Sequence, residues 1–213
     1  MKLRVLLADD HRMFREALRV LIEQAGEIDV VAETGDGIEI IDLVRKHHVD
    51  IVCMDVSMPG MNGIEATRRL HSILPEVRVI GLSVHADPHH VSEMLRSGAL
   101  AYVTKSEAVQ ELLRAIQSVA HNRLHLCPEA MLAVSDALLA GDAGLPLPRQ
   151  LGARERQVLQ LVAEGHSSAD IGERLHISPA TVEVHRRNIM RKLDLHNVAD
   201  LTRYAIRAGV TSL

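Results

Sequence analysis

The chain has no tryptophan, one phenylalanine and two tyrosines among 213 residues, so its core must be aliphatic. No apolar run approaches the ~20 residues that a membrane-spanning helix needs. The opening M-K-L-R-V-L-L-A-D-D turns acidic too soon for a signal peptide. Two cysteines, Cys53 and Cys127, are too few for a disulfide framework and are expected to be free thiols. Thirteen histidines invite a zinc reading, but their spacing opposes it. His47-His48 and His89-His90 are sequence neighbours, which do not share a helix face. His121 and His125 lack an acidic or cysteine partner at ligand spacing. These absences point to a soluble, cytoplasmic protein without a zinc site.

Charge is unevenly distributed. The whole chain carries −4, yet residues 149–213 hold ten Lys/Arg against seven Asp/Glu, leaving −7 for residues 1–148. An acidic front and a basic tail imply two tasks, the second involving a polyanion.

The informative stretch runs from Val49 to Gly63, V-D-I-V-C-M-D-V-S-M-P-G-M-N-G. Ile51–Met54 is an apolar, partly β-branched run of the kind buried on both faces in a parallel sheet. Asp55 follows it directly, then a loop with Pro59, Gly60, Asn62 and Gly63. Open α/β sheets place their ligand sites at such strand ends.

The same alternation extends across residues 1–120. Strands are expected at Arg4–Ala8, Val30–Ala32, Ile51–Met54, Val77–Leu82 and Ala101–Val103. Helices are expected at Met13–Gln24, Ile38–Val44, Ile64–Leu74, around Val91–Leu95, and at Val109–Val119. Five β-α units predict a doubly wound, five-stranded parallel α/β sheet with every strand-to-helix loop on one edge. That edge collects Asp9 and Asp10 after the first strand, Asp55 after the third, Ser83 after the fourth and Lys105 after the fifth. Each has a bland reading: Asp9-Asp10 as a helix cap, Ser83 as a turn residue, Lys105 as a solvated charge. Their joint placement favours one crevice. Three converging carboxylates call for a hard divalent cation such as Mg²⁺. A lysine and a hydroxyl opposite them suit phosphoryl oxygens, with Asp55 as nucleophile.

These residues resemble the receiver domain of two-component response regulators, a flavodoxin-like fold. The resemblance implies that Asp55 is the phosphoacceptor and that Asp9 and Asp10 are the acidic pair. It also makes Ser83 the switch hydroxyl and Lys105 the phosphate-binding lysine. It further implies that Asp10, Asp55 and the Ser57 carbonyl hold Mg²⁺, with Asp9 acting through water. Tyr102 resembles the switch aromatic, whose alternative is a half-buried strand tyrosine. Ser57 and His85 stand where this family tunes phosphate lifetime. Ser106 replaces a common proline after Lys105, which weakens the expectation of a cis peptide there.

From 121 to 148 the pattern fades into a linker. It contains a helix expected at Pro128–Leu139, then the hinge-like G-D-A-G-L-P-L-P at 141–148. Which domain that helix packs on is not legible. Residues 149–213 return to helical periodicity: Arg154–Glu164, Ser168–Leu175, a helix capped by Ser178 and running to about Leu193, and Val198–Ala208. Four short helices with a tight second turn form an all-α helix-turn-helix arrangement. Ser178, Thr181, Glu183, Val184 and His185 lie near the front of the third helix. Arg186, Arg187, Arg191 and Lys192 give it a basic flank, although a merely solvated helix would look similar.

The segments R-E-R-Q-V-L, E-G-H-S-S-A-D-I, I-S-P-A-T-V-E-V-H-R-R-N-I and R-K-L resemble the LuxR-type helix-turn-helix of the NarL/FixJ family. The resemblance implies a phosphorylation-controlled transcriptional regulator with double-stranded DNA and a sensor histidine kinase as partners, forming a homodimer when phosphorylated. Gly152 replaces the family's usual capping Thr, and Ala180 and Glu183 stand where lysines are common. Losing two lysines should flatten the salt dependence of DNA binding. Glu183 either reads a cytosine amine or pairs with Arg187 at i,i+4 and touches no base. Two rival functions remain. A Mg²⁺-dependent phosphohydrolase would commonly carry a second Asp two residues after its nucleophile, where this chain has Ser57. A constitutive DNA binder with a vestigial receiver would not need the intact acidic set.

Overall fold

The computed structural model describes residues 2–106, 109–139 and 151–211. The chain divides into two compact units, Met1–Gly144 and Leu145–Leu213. The Gly/Pro segment at 141–148 lies outside the described residues.

In the first unit, strands and helices alternate as the apolar periodicity requires. β1 is Leu3–Ala8, β2 Ile28–Thr34, β3 Ile51–Asp55, β4 Arg78–Ser83 and β5 Ala101–Thr104. Between and after them run α1 (Arg12–Glu23), α2 (Ile40–His47), α3 (Gly63–Ile73), α4 (Pro88–Arg96) and α5 (Val109–Ala120). All five residues of β3 are buried, as its continuous apolar run demands. The sheet has six strands in the order β2-β1-β3-β4-β5 and then β6 (His125–Leu126), every pair parallel. Two aliphatic clusters fill its faces. One contains Leu6, Val52, Met54 and Leu70, the other Leu7, Cys53, Ile80 and Ile116.

The sixth strand corrects the expected count of five. β6 is only His125–Leu126, pairing with Ala101 and Tyr102 of β5. Two residues have no readable period, and neighbouring backbone alone makes them a strand. α6 (Pro128–Leu139) follows and packs on α4 and β5, with Cys127 and Ala130 wholly buried in the first unit's core. The linker helix therefore belongs to the first unit.

The second unit holds α7 (Ala153–Ala163), α8 (Ser168–Leu175), α9 (Pro179–Leu193) and α10 (Val198–Arg207) around Leu159, Leu161, Ile171, Val182, Ile189 and Leu201. Ser167, Ser178 and Asn197 cap their helices, each accepting from the third backbone amide on. The α8–α9 turn is tight enough to require glycine at 172. A Cβ there would meet the Ile177 carbonyl oxygen at 2.7 Å. At α7, Gly152 has no side-chain oxygen to cap with, so only half a capping box forms. The Glu155 carboxylate accepts from the Gly152 amide at 2.8 Å. Gly152→Ser should therefore raise stability by about 0.3 kcal/mol, read from the urea midpoint. The new Cβ meets nothing nearer than the Glu155 carboxylate at 3.7 Å. A loss of stability would count against this account of the cap.

Among the described residues no helix is long and apolar enough to cross a membrane. Both cysteines are free and buried, and burial pushes the Cys53 thiol up to about 12.

Candidate functional site

The parallel sheet brings the ends of β1, β3, β4 and β5 to one edge. Backbone bonds lock that edge: Asp9 N donates to Thr34 O at 3.0 Å, Val56 N to Leu82 O at 2.8 Å, and Lys105 N to Ser83 O at 2.6 Å. Asp9 and Asp55 are both 2% exposed, and Asp10 stands at the open side. The Lys105 ammonium lies 2.6 Å from Asp9 Oδ2 and 3.1 Å from Asp55 Oδ2. These two oxygens are buried, and the ammonium is the charged partner of both. Asp55 Oδ1 accepts from the Ser57 amide at 3.3 Å.

Burial raises the pKa of Asp55, and the Asp9 charge adds to the rise, while Lys105 and the Ser57 amide pull it back. One ammonium thus offsets two buried carboxylates incompletely. Asp9, Asp10, His11 and Asp55 each offer a ligand atom, all within 4.8 Å of one another. A hard divalent cation fits this donor set and would neutralise the remaining charge.

Three neighbours were not singled out from the sequence as site residues. The Phe14 ring lies 5.0 Å from the Lys105 ammonium and offers its face to the charge. The Arg15 guanidinium donates to the Asp9 carbonyl oxygen. His11 turns Nδ1 toward Asp10 Oδ1 at 2.9 Å. His11 directly follows the acidic pair, a signal legible in advance. Phe14 and Arg15 gave none beyond helical spacing.

Tyr102 is fully buried, where the alternative expected a half-buried strand tyrosine. Its hydroxyl donates to the His85 carbonyl oxygen at 3.1 Å. Burial pushes its ionisation well up. The side chains of Ser57 and His85 are exposed at the rim. No described peptide bond is cis.

In the second unit, Ser178, Thr181, Glu183, Val184, Arg187 and Arg191 are exposed on or just before α9, while His185 and Arg186 are half-buried. Several of the nine are engaged within the unit. The Lys192 ammonium lies 2.7 Å from Glu155 Oε2. Burial opposes the Glu155 charge, but Lys192 and the Gly152 amide outweigh it and hold the carboxyl below its ordinary range. Glu183 accepts from Ser168 Oγ and, at 2.8 Å, from Arg186 Nη1. Its side-chain partner is thus Arg186 at i+3. Arg187 reaches only the Glu183 backbone carbonyl, at 3.4 Å.

Both units match known protein families. Residues 5–117 match the response regulator receiver domain, and residues 149–205 match the bacterial regulatory proteins of the luxR family. The transcriptional regulatory protein DegU of Brevibacillus brevis is 34% identical, covering 98% of this chain and 94% of DegU. The response regulator UvrY of Escherichia coli strain K12 is 32% identical, with 97% and 94% covered. A solved LuxR-family response regulator from Aurantimonas sp. is similar with a TM-score of 0.63 and 34% identity, over 65% of this chain and 99% of that one. RcsB of Salmonella enterica serovar Typhimurium, solved on promoter rprA with the phosphomimetic BeF₃⁻, is 26% identical with a TM-score of 0.63, over 96% and 98%. Receiver signature, helix-turn-helix and full-length likeness place this chain among the two-component response regulators of the NarL/FixJ family, with a receiver domain and a luxR-family regulatory domain.

Proposed function

We propose that residues 1–120 accept a phosphoryl group on Asp55 and that residues 149–213 bind double-stranded DNA under its control, with 121–148 as the connection. One observation carries this reading: the Lys105 ammonium meets the Asp9 and Asp55 carboxylates at 2.6 and 3.1 Å. In the reaction, a carboxylate oxygen of Asp55 attacks the phosphorus of a sensor kinase phosphohistidine. The P–N bond breaks and the imidazole leaves, giving an acyl phosphate. Lys105 and the Ser83 hydroxyl hold the new phosphoryl oxygens. Drawing Ser83 toward them shifts β4 and β5, which pair there, between two discrete arrangements. Ser57 and His85, at the rim, govern access of hydrolytic water.

Mg²⁺ held by Asp10, Asp55 and the Ser57 carbonyl, with Asp9 acting through water, would neutralise charge on the transferring group. At tenfold over its Kd, Mg²⁺ should stabilise the fold by about 1.4 kcal/mol, a rise of about 4 °C in Tm. Asp10→Asn should remove that rise. An undiminished rise in the variant would place the ion elsewhere.

α9 enters the major groove with Thr181, Val184 and His185 toward base edges, while Arg187 and Arg191 hold phosphates, Ser178 supporting the helix start. The DNA-bound RcsB neighbour supports this docking. Phosphorylated chains pair as homodimers on half-sites about one helical turn apart, in the cytoplasm. The chain handles its phosphoryl group stoichiometrically, without the turnover of an enzyme. A turnover assay on a generic phosphate ester separates this from a phosphohydrolase. DNA-site selection with and without beryllofluoride tests the whole reading. Enrichment of paired half-sites is expected only with it, and identical pools would reject a phosphorylation switch.

Glu183 is occupied by Ser168 and Arg186, which favours the internal role over cytosine reading. Glu183→Ala should free Arg186 for a phosphate and steepen the salt dependence of DNA binding by about one unit of slope. Altered site preference with an unchanged slope would restore the base-reading role.

A further inference from the structure

We propose that His11 supplies a nitrogen ligand to the divalent-cation pocket, so that the pocket favours ions with an affinity for imidazole, such as Mn²⁺ and Co²⁺, more than its carboxylates alone would. The inference rests on the Mg²⁺-pocket reading above and concerns which ions that pocket prefers.

His11 occupies the N-cap position of α1, yet its side chain makes no capping hydrogen bond. The imidazole is instead turned inward although 67% of the side chain is exposed. Nδ1 stands 2.9 Å from Asp10 Oδ1 and 3.3 Å from Asp9 Oδ1. Donor atoms about 3 Å apart are spaced like adjacent ligands on one small octahedral cation.

The two oxygens of Asp9 are divided between tasks. Oδ1 accepts from the His11 amide at 2.8 Å and so faces residue 11, whereas Oδ2 faces Lys105. The imidazole and the ammonium therefore approach the carboxylates from different oxygens and do not compete. Arg15, donating to the Asp9 carbonyl, holds the turn that sets this division. Asp9 and Asp55 share the single Lys105 ammonium, so the same pocket holds more negative than positive charge. Mg²⁺ strongly prefers oxygen donors, whereas later divalent ions gain from imidazole in the order Mn²⁺ below Co²⁺. An imidazole among these carboxylates therefore shifts the pocket's preference toward the latter pair.

The test is calorimetric titration of the full chain with Mg²⁺, Mn²⁺ and Co²⁺, in wild type, His11→Ala and Asp10→Asn. His11→Ala should weaken Co²⁺ about tenfold and Mn²⁺ less, with Mg²⁺ nearly unchanged. Electron spin-echo spectra of the Mn²⁺-loaded protein should show nitrogen coupling from one imidazole. The coupling should disappear in His11→Ala and be displaced by excess Mg²⁺, which separates it from the chain's other histidines. No change on removing His11, or an equal loss for all three ions, overturns the proposal and leaves the imidazole as a hydrogen-bond partner of the carboxylates. Mg²⁺ binding that survives Asp10→Asn overturns the underlying pocket reading, and the inference with it.

Discussion

Asp55→Asn is expected to yield a folded protein that takes up no phosphoryl group, from kinase or from acetyl phosphate. The amide matches the carboxylate in shape but has no nucleophilic oxygen. Folding should not suffer, because Asp55 is buried and its charged form is disfavoured, its pKa raised by burial and by the Asp9 charge. A carboxyl whose folded-state pKa lies above its unfolded value binds extra protons when folded. Stability then rises as pH falls through the raised value and is lost as pH climbs back. Above the raised pKa the wild type bears the penalty of the buried charge and the variant does not. The variant should therefore melt at or above the wild type near pH 7, with the gap closing toward the ordinary carboxylate value of 3.8. Intact-mass spectrometry after acetyl phosphate reads the chemistry. A phosphoryl increment on the variant would move the nucleophile to another side chain.

Gly63→Ala should be the most damaging single-methyl change in the receiver. Its Cβ would stand 2.0 Å from the Asp55 carbonyl oxygen and 2.9 Å from the Met54 Cγ. Neither side can yield cheaply. Gly63 N donates to Val56 O at 2.9 Å, and Asn62 caps α3 through the Glu65 amide at 2.9 Å. The start of α3 is thereby bolted to the strand end that carries Asp55. Overpacking of this kind should cost about 3 kcal/mol and slow phosphoryl uptake by displacing the nucleophile. Gly60→Ala is the control. Its φ of +75° is left-handed, but a Cβ there meets nothing within 4 Å. Its cost should be about 1 kcal/mol, from backbone strain alone. Urea midpoints compare the two, and equal losses would mean that the loop moves freely from β3.

The receiver was legible because its signals are local. A buried parallel strand is a continuous apolar run, an amphipathic helix repeats every three to four residues, and chemistry clusters at strand ends. Asp9, Asp55, Ser83 and Lys105 could be assigned to one edge before any coordinate was known. The helix expected at Pro128–Leu139 has those bounds, and α8 likewise runs Ser168–Leu175. β2 was expected only at Val30–Ala32 but runs Ile28–Thr34, because pairing with β1 extends it beyond its apolar centre.

The sequence by itself determined the alternating α/β unit, the helical tail and the strand-end set of carboxylates, hydroxyl and lysine. Periodicity and turn chemistry are written within a few residues of one another. Only the tertiary structure decided that His125–Leu126 joins the sheet and that α6 packs on the receiver. It alone decided that Lys192 serves Glu155, 37 residues away, and that Glu183 answers to Ser168 and Arg186. Long charged side chains choose partners by spatial approach and competing charge, and neither is encoded in local spacing.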